Sequence, residues 1–354
     1  MARKGLLSDE DASLVLTLPV SFKTLMDVFQ RNQRAMLKEF ATDKGIPFHI
    51  EAIQLYQEQF PNPDQFQLVV FDDEKSQEEI VYGIIVNTYT KSTFLTFRGS
   101  VSKRDYKADM DISMRTFRDD HGRTVRTQRG FSDYLFGTEE ELAVKSRDGI
   151  PPTKFERIVR TLKEQYELHP DHELCVTGHS LGGSLALLAA AALAMDATIK
   201  PLLKNSGPIR VIGFGSMLVG DLRFLRTFQR LERQNLIRST VIINQGDLIP
   251  LLPFSSGWRF YRVLGKRVII SDGRRKPVIY SPPEALRICC NDAISVPGFI
   301  LPRLCFIFLF QRKFWSKHTV DATTRNIFGS RKYLEELSVD SLYVCKQLLP
   351  CTIH

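Results

Sequence analysis

The chain has 354 residues, 43% of them hydrophobic and 25% charged, with a formal net charge of +8. It is long and apolar enough to bury a large core as one enlarged domain, and it shows no internal repeat or long low-complexity tract. The basic excess is concentrated between Ser255 and Lys317, where twelve Lys and Arg face three Asp and Glu. No nucleic-acid recognition motif accompanies that charge, so no nucleic-acid partner is expected. The start, M-A-R-K-G-L-L followed by Asp9, Glu10 and Asp11, forms no apolar core of signal-peptide length. The six cysteines have no metal-ligand spacing and read as reduced thiols. An intracellular protein, cytoplasmic or peripherally bound to a membrane, is the expectation, with no metal and no cofactor.

Along residues 1–60, Phe22, Leu25, Met26, Phe29, Met36 and Phe40 recur at helical spacing before Pro47. They predict a helical layer packed on a core that begins near residue 61. Phe66–Phe71, Glu79–Val86 and Ser92–Phe97 read as strands. The last ends in Arg98-Gly99-Ser100, a turn in which Ser100 offers both its N–H and its hydroxyl. The stretch V-S-K-R-D-Y-K-A-D-M-D that follows is polar and has no apolar face. Phe155, Ile158, Val159, Leu162 and Tyr166 mark an amphipathic helix.

The most informative segment is E-L-C-V-T-G-H-S-L-G-G-S-L-A-L-L-A-A, residues 173–190. A short apolar run, Glu173 to Thr177, is followed by a bend and then by an apolar run of helix formers from Leu181 to Met195. Between them Gly178-His179-Ser180-Leu181-Gly182 forms a G-x-S-x-G elbow, which holds a serine hydroxyl clear of the backbone where it can attack. The helix start beside Ser180 favours developing negative charge, and the Leu181 N–H becomes an oxyanion donor, with Ser100 as the second.

A nucleophilic serine needs a base and a carboxylate. In strand-ordered α/β sheets of this kind both follow the serine, the acid first. Of seven histidines only His318 and His354 lie well beyond Ser180, and His354 is the last residue, which leaves His318 by elimination. Asp221 follows the strand Val211–Gly215 and Asp247 follows Thr240–Asn244. Asp247 is favoured because the apolar L-I-P-L-L-P after it would shelter a carboxylate aimed off a strand end. Asp221 stays in competition, although it also reads as a helix N-cap.

The order F-R-G-S (97–100), Arg129-Gly130-Phe131, G-H-S-L-G-G (178–183), G-F-G-S-x-x-V-G-D (213–221) and N-Q-G-D-L-I-P (244–250) resembles the class 3 (fungal-type) lipases. The likeness covers about residues 65 to 330. It implies an α/β-hydrolase fold, with a mainly parallel central sheet flanked by helices, over 61–354. It also implies a Ser180–Asp247–His318 triad, with Ser100 and Leu181 in the oxyanion hole. Two departures are Met217-Leu218, where the family commonly has a proline, and Gln128-Arg129, where it often has a histidine; neither removes a catalytic group. The implied reaction is hydrolysis of carboxylic esters of acyl lipids, acylglycerol or phospholipid, through an acyl-enzyme. The alternatives are a soluble carboxylesterase and an inactive membrane-associated scaffold.

The segment at about 255–317 reads as a basic and apolar insertion. Its P-G-F-I-L-P-R-L-C-F-I-F-L-F run (297–310) is too short and broken to span a bilayer. With Phe306, Phe308, Phe310 and Trp315 beside cations, it has the make-up of a peripheral contact with an anionic membrane surface.

Overall fold

The computed structural model describes residues 66–138, 152–252, 261–270 and 278–280, apart from 74–78, 89, 101–102, 112 and 248. The N-terminal layer expected over 1–60, His318 and the run 297–315 lie outside the described residues.

Eight strands form one sheet. They are β1 (Phe66–Asp72), β2 (Tyr82–Asn87), β3 (Ser92–Phe97), β6 (Glu173–His179), β7 (Ile209–Phe214), β8 (Ile237–Asn244), β9 (Lys266–Ile270) and β10 (Val278–Tyr280), and they are hydrogen-bonded in that order. β1, β2 and β3 pair antiparallel, β3, β6, β7, β8 and β9 pair parallel, and β10 closes the far edge antiparallel. Two strands, β4 (Met114–Arg118) and β5 (Thr124–Gln128), form a separate hairpin. This is the mainly parallel central sheet expected from the sequence. β2 starts at Tyr82 rather than Glu79, and β8 starts three residues before Thr240. β9 and β10 fall within the segment read as an insertion and extend the sheet, with Arg267 fully buried in it.

The helices are α1 (Lys103–Met110), α2 (Arg129–Phe136), α3 (Lys154–Leu168), α4 (Leu181–Met195), α5 (Leu203–Ser206) and α6 (Leu222–Arg233). β2 and β3 are buried along their whole length, as an apolar sheet covered on both faces requires. α4 is apolar around nearly its whole circumference and is correspondingly buried, packing on β6 and β7. α3 begins with a reciprocal cap: Thr153 Oγ1 accepts from the Glu156 N–H, and Glu156 Oε2 accepts from the Thr153 N–H. Because β3, β6, β7, β8 and β9 run parallel, the segments after their C-terminal ends gather along one edge of the sheet. Ligand sites of open α/β sheets form at that edge.

Candidate active site

Ser180 stands between β6 and α4 at φ 58° and ψ −122°, one of three described non-glycine residues with positive φ. Such a backbone costs about 1–3 kcal/mol and persists only where its surroundings fix it. Here the Ser180 N–H donates to the Phe214 carbonyl at 2.8 Å, which continues the ladder one residue beyond the strand. The Ser180 carbonyl accepts from the Ser184 N–H at 3.1 Å and from Ser184 Oγ at 3.3 Å. Ser184 Oγ also accepts from the Met217 N–H at 2.9 Å, tying the first turn of α4 to the loop after β7. A Cβ on Gly182 would stand 2.8 Å from the Arg98 carbonyl oxygen and closer still to that of Phe97. The elbow therefore closes only with glycine at 182.

The F-R-G-S loop crosses this elbow. Phe97 is in register with Gly178, and a Cβ on Gly99 would lie 2.8 Å from the His179 carbonyl oxygen. Ser100 is thereby carried past the end of β3 on the same edge as Ser180. On the other side, Leu181 is the first residue of α4, where an N–H has no acceptor within the helix. The structure thus gathers Ser180, Leu181 and Ser100 along one edge.

Ser100 itself is held by a partner that the sequence reading did not include. Its Oγ donates to Asp109 Oδ2 at 2.5 Å. Burial pushes the Asp109 carboxyl up to about 7; the Ser100 hydrogen bond opposes that rise and the neighbouring Asp105 adds to it. A second buried network fixes α1. Asp105 accepts from Arg98 Nη2 and from the Tyr134 hydroxyl, both at 3.0 Å. Gln128 Nε2 reaches the carbonyls of Ala108 and Asp109, each at 3.1 Å. The one signal in sequence for these residues is acidic spacing on a short polar helix, which local pattern alone does not distinguish from a solvated face.

Asp247 follows β8 by three residues and is 6% exposed. Its N–H donates to the Asn244 carbonyl and its Oδ1 accepts from the Ile249 N–H, both at 3.0 Å. With β7 between β6 and β8, the strands that lead to Ser180 and Asp247 are two spacings apart, about 10 Å. Asp221 is engaged elsewhere. It caps α6, its Oδ1 accepting from the Phe224 N–H at 2.9 Å, and its Oδ2 pairs with Arg126 Nε at 3.1 Å. His318, the residue expected to bridge Ser180 and Asp247, is outside the described residues, as are Phe306, Phe308, Phe310 and Trp315. Among the described residues no group of three or more His, Cys, Asp or Glu is placed to hold a metal ion. Nor is any described helix long and apolar enough to cross a membrane.

Comparison with known proteins places this geometry. A lipase from Rhizomucor miehei is 27% identical over 207 residues, covering 57% of this chain and 46% of that protein. Phospholipase A1-IIbeta of Arabidopsis thaliana is 35% identical over 102 residues, covering 28% of this chain and 24% of that one. The chain thus spans less than half the length of these curated relatives. The solved structure of a triacylglycerol lipase from Penicillium expansum aligns with a TM-score of 0.49 at 19% identity, over 66% of this chain and 82% of that one. The family model for lipase (class 3) matches residues 94–257, a span that contains the F-R-G-S loop, the elbow and Asp247. Over that span the chain is similar to the class 3 lipases.

Proposed function

We propose that this protein is a serine hydrolase that cleaves the carboxylic ester bond of an acyl lipid, acylglycerol or phospholipid. The observation that carries the reading is Ser180 held at positive φ between β6 and α4, with the F-R-G-S loop crossing beside it. The relatives described as lipase and phospholipase A1 support the ester class.

His318 takes the proton of Ser180 as its oxygen attacks the carbonyl carbon, and Asp247 orients the imidazole and stabilises its cation. Negative charge gathers on the former carbonyl oxygen, opposite the N–H groups of Leu181 and Ser100. His318 returns the proton to the leaving alcohol, and an acyl group remains on Ser180. Water, deprotonated by the same imidazole, then releases the fatty acid. The chemistry calls on no metal or organic cofactor. The protein works inside the cell, and the 294–315 segment supplies its membrane contact. Replacing Phe306, Phe308 and Phe310 by serine weakens liposome binding; unchanged binding by a folded variant removes that part.

A second reading, a soluble carboxylesterase, is favoured by α1. This helix, K-R-D-Y-K-A-D-M, is polar and tied down through Asp105. Short-chain preference and indifference to bilayers select that reading.

Labelling with a fluorophosphonate probe tests the proposal, comparing the parent with Ser180→Ala and His318→Ala and checking each fold by circular dichroism. Labelling of the parent and its loss in both variants is the expected result. A well-folded parent that does not label, with or without liposomes, overturns it in favour of an inactive membrane-bound scaffold.

A further inference from the structure

The outer face of α6 carries Arg223, Arg226, Arg230 and Arg233, while Phe224, Leu225, Phe228 and Leu231 pack inward. Around Arg230 the charges are matched. Asp119, buried in the β4–β5 turn, accepts from Arg123 Nε at 3.0 Å and from Thr227 Oγ1 at 2.8 Å. Asp120 pairs with Arg230 and, at 3.0 Å, with Lys200. Burial alone would raise the Asp119 carboxyl, but the hydrogen bonds from Arg123, Thr227 and the His121 N–H outweigh it and hold the group below the usual range.

Arg223 and Arg226 break that rule. Both are exposed, and among the described residues neither has an ion pair or hydrogen bond. Like charges three residues apart on a helix cost about 0.2–0.5 kcal/mol, so nothing in folding favours the pair. Together with Arg123, Thr124, Val125 and Thr227 they line a cavity of about 390 Å³ between α6 and the hairpin. Arginines from α6 and the hairpin thus border a space large enough for a tetrahedral oxyanion and its substituent, with Arg123 Nε and Nη2 and the Thr227 hydroxyl already engaged by Asp119. Planar guanidinium forks match pairs of phosphate oxygens, and weak hydration makes arginine the cation suited to that pairing. α6 starts from the edge of the sheet that carries Ser180, and its first residue, Leu222, is 40% exposed.

We propose that this cleft binds a phosphate group, with Arg223 and Arg226 gripping its oxygens and Arg123 closing the third side. A phospholipid headgroup and a soluble phosphate present the same chemistry to it. The site is separate from the ester-cleaving machinery, so binding is its readout and hydrolysis is not needed.

The test uses the full chain, Arg223→Gln/Arg226→Gln, and a control, Arg233→Gln/Arg238→Gln, which removes equal charge outside the cleft. Each is titrated with inorganic phosphate by calorimetry, and co-sedimented with phosphatidylcholine vesicles with and without phosphatidic acid. The expected result is binding by the parent that falls about tenfold or more in the cleft variant and less than about twofold in the control. Loss in both assays supports the cleft with headgroups as occupants. Loss for inorganic phosphate alone supports it with a soluble occupant, and loss for phosphatidic acid vesicles alone supports it with the headgroup as occupant. Absence of binding by the parent in both assays, an unchanged cleft variant, or an equal fall in the control overturns the proposal.

Discussion

The Ser100 hydroxyl gives its proton to Asp109 Oδ2 at 2.5 Å, while Asp109 Oδ1 is shut off from solvent with no hydrogen-bond partner among the described residues. A hydroxyl has one proton. In the proposed mechanism, while Asp109 is ionised, Ser100 therefore faces the developing oxyanion with its backbone N–H alone. Once Asp109 is protonated, the carboxylic O–H can donate to Ser100 Oγ, and the hydroxyl proton becomes available to the oxyanion.

This gives a first prediction, for the pH dependence of turnover. In the proposed mechanism, protonation of His318 removes the base and gives the rate profile its acid limb. Loss of the second Ser100 donor adds an alkaline decline centred near the Asp109 value of about 7, a value set first by burial. Asp109→Asn keeps a partner for Ser100 and cannot ionise, so kcat against pH should rise to a plateau with no alkaline decline. An identical alkaline limb in parent and variant would remove Asp109 from the oxyanion site.

The same group makes a second prediction, for stability. The Asp109 carboxyl is raised in the fold from 3.8 to about 7, so the folded protein holds its proton more tightly than the unfolded chain. The stabilising contribution is complete below pH 4 and is lost as pH rises through 7. Thermal unfolding of parent and Asp109→Asn should then diverge with rising pH. The variant should gain about 4 kcal/mol relative to the parent between pH 4 and pH 8.

Asp221 and Asp247 both follow parallel strands, and their surroundings predict opposite effects. Asp221→Ala removes the cap of α6 and the partner of Arg126, which should cost about 1–2 kcal/mol and leave kcat nearly unchanged. Asp247→Ala should leave the unfolding midpoint within a few degrees of the parent and lower kcat about 10³–10⁴-fold. The measurement is a melting curve and a steady-state rate for each variant. The reverse pattern would transfer the acid's role to Asp221.

These paired effects mark where sequence reading reached its limit. The elbow was legible because glycine spacing, an apolar strand and an apolar helix are local signals that agree with one another. β3, β6, β7 and β8 were legible for the same reason, since buried parallel strands are continuous apolar runs. The β4–β5 hairpin was not, because M-R-T-F-R and T-V-R-T-Q carry few apolar residues on a half-exposed ribbon. Asp247 is preferred to Asp221 on the apolar run after it and on the N-cap reading of Asp221, whereas the pairing of Asp221 with Arg126, 95 residues away in sequence, was not legible. Asp109 was invisible because its burial is set by packing of α1 against Gly130 and Gln128, which no local pattern encodes.

Glycine positions separate space from backbone strain. Gly182→Ala drives a Cβ into the Phe97 and Arg98 carbonyls and should cost about 3–4 kcal/mol or prevent folding. Gly122, at φ 72° in the hairpin turn, has nothing within 4 Å of an added Cβ. Gly122→Ala should therefore cost about 1 kcal/mol, from backbone strain alone, and leave catalysis intact. Denaturant unfolding of the two variants measures the difference directly.

The buried Arg98–Asp105 pair links the fold to the oxyanion loop, because Arg98 lies two residues before Ser100 and Asp105 four before Asp109. Asp105→Ala removes the carboxylate that faces the buried Arg98 guanidinium, which is 7% exposed, and should cost about 3–5 kcal/mol. Replacing both as Arg98→Met/Asp105→Leu removes that buried charge as well and should recover more than half of that loss. Activity should behave differently from stability. The double variant refills the space but no longer fixes α1 through a directional bond, so Ser100 and Asp109 lose their register and kcat should remain about tenfold or more below the parent. Chemical unfolding and single-turnover acylation of the parent, Asp105→Ala and the double variant separate the two effects. Full recovery of kcat alongside stability would mean that packing alone positions α1 and that the ion pair has no part in setting the oxyanion site.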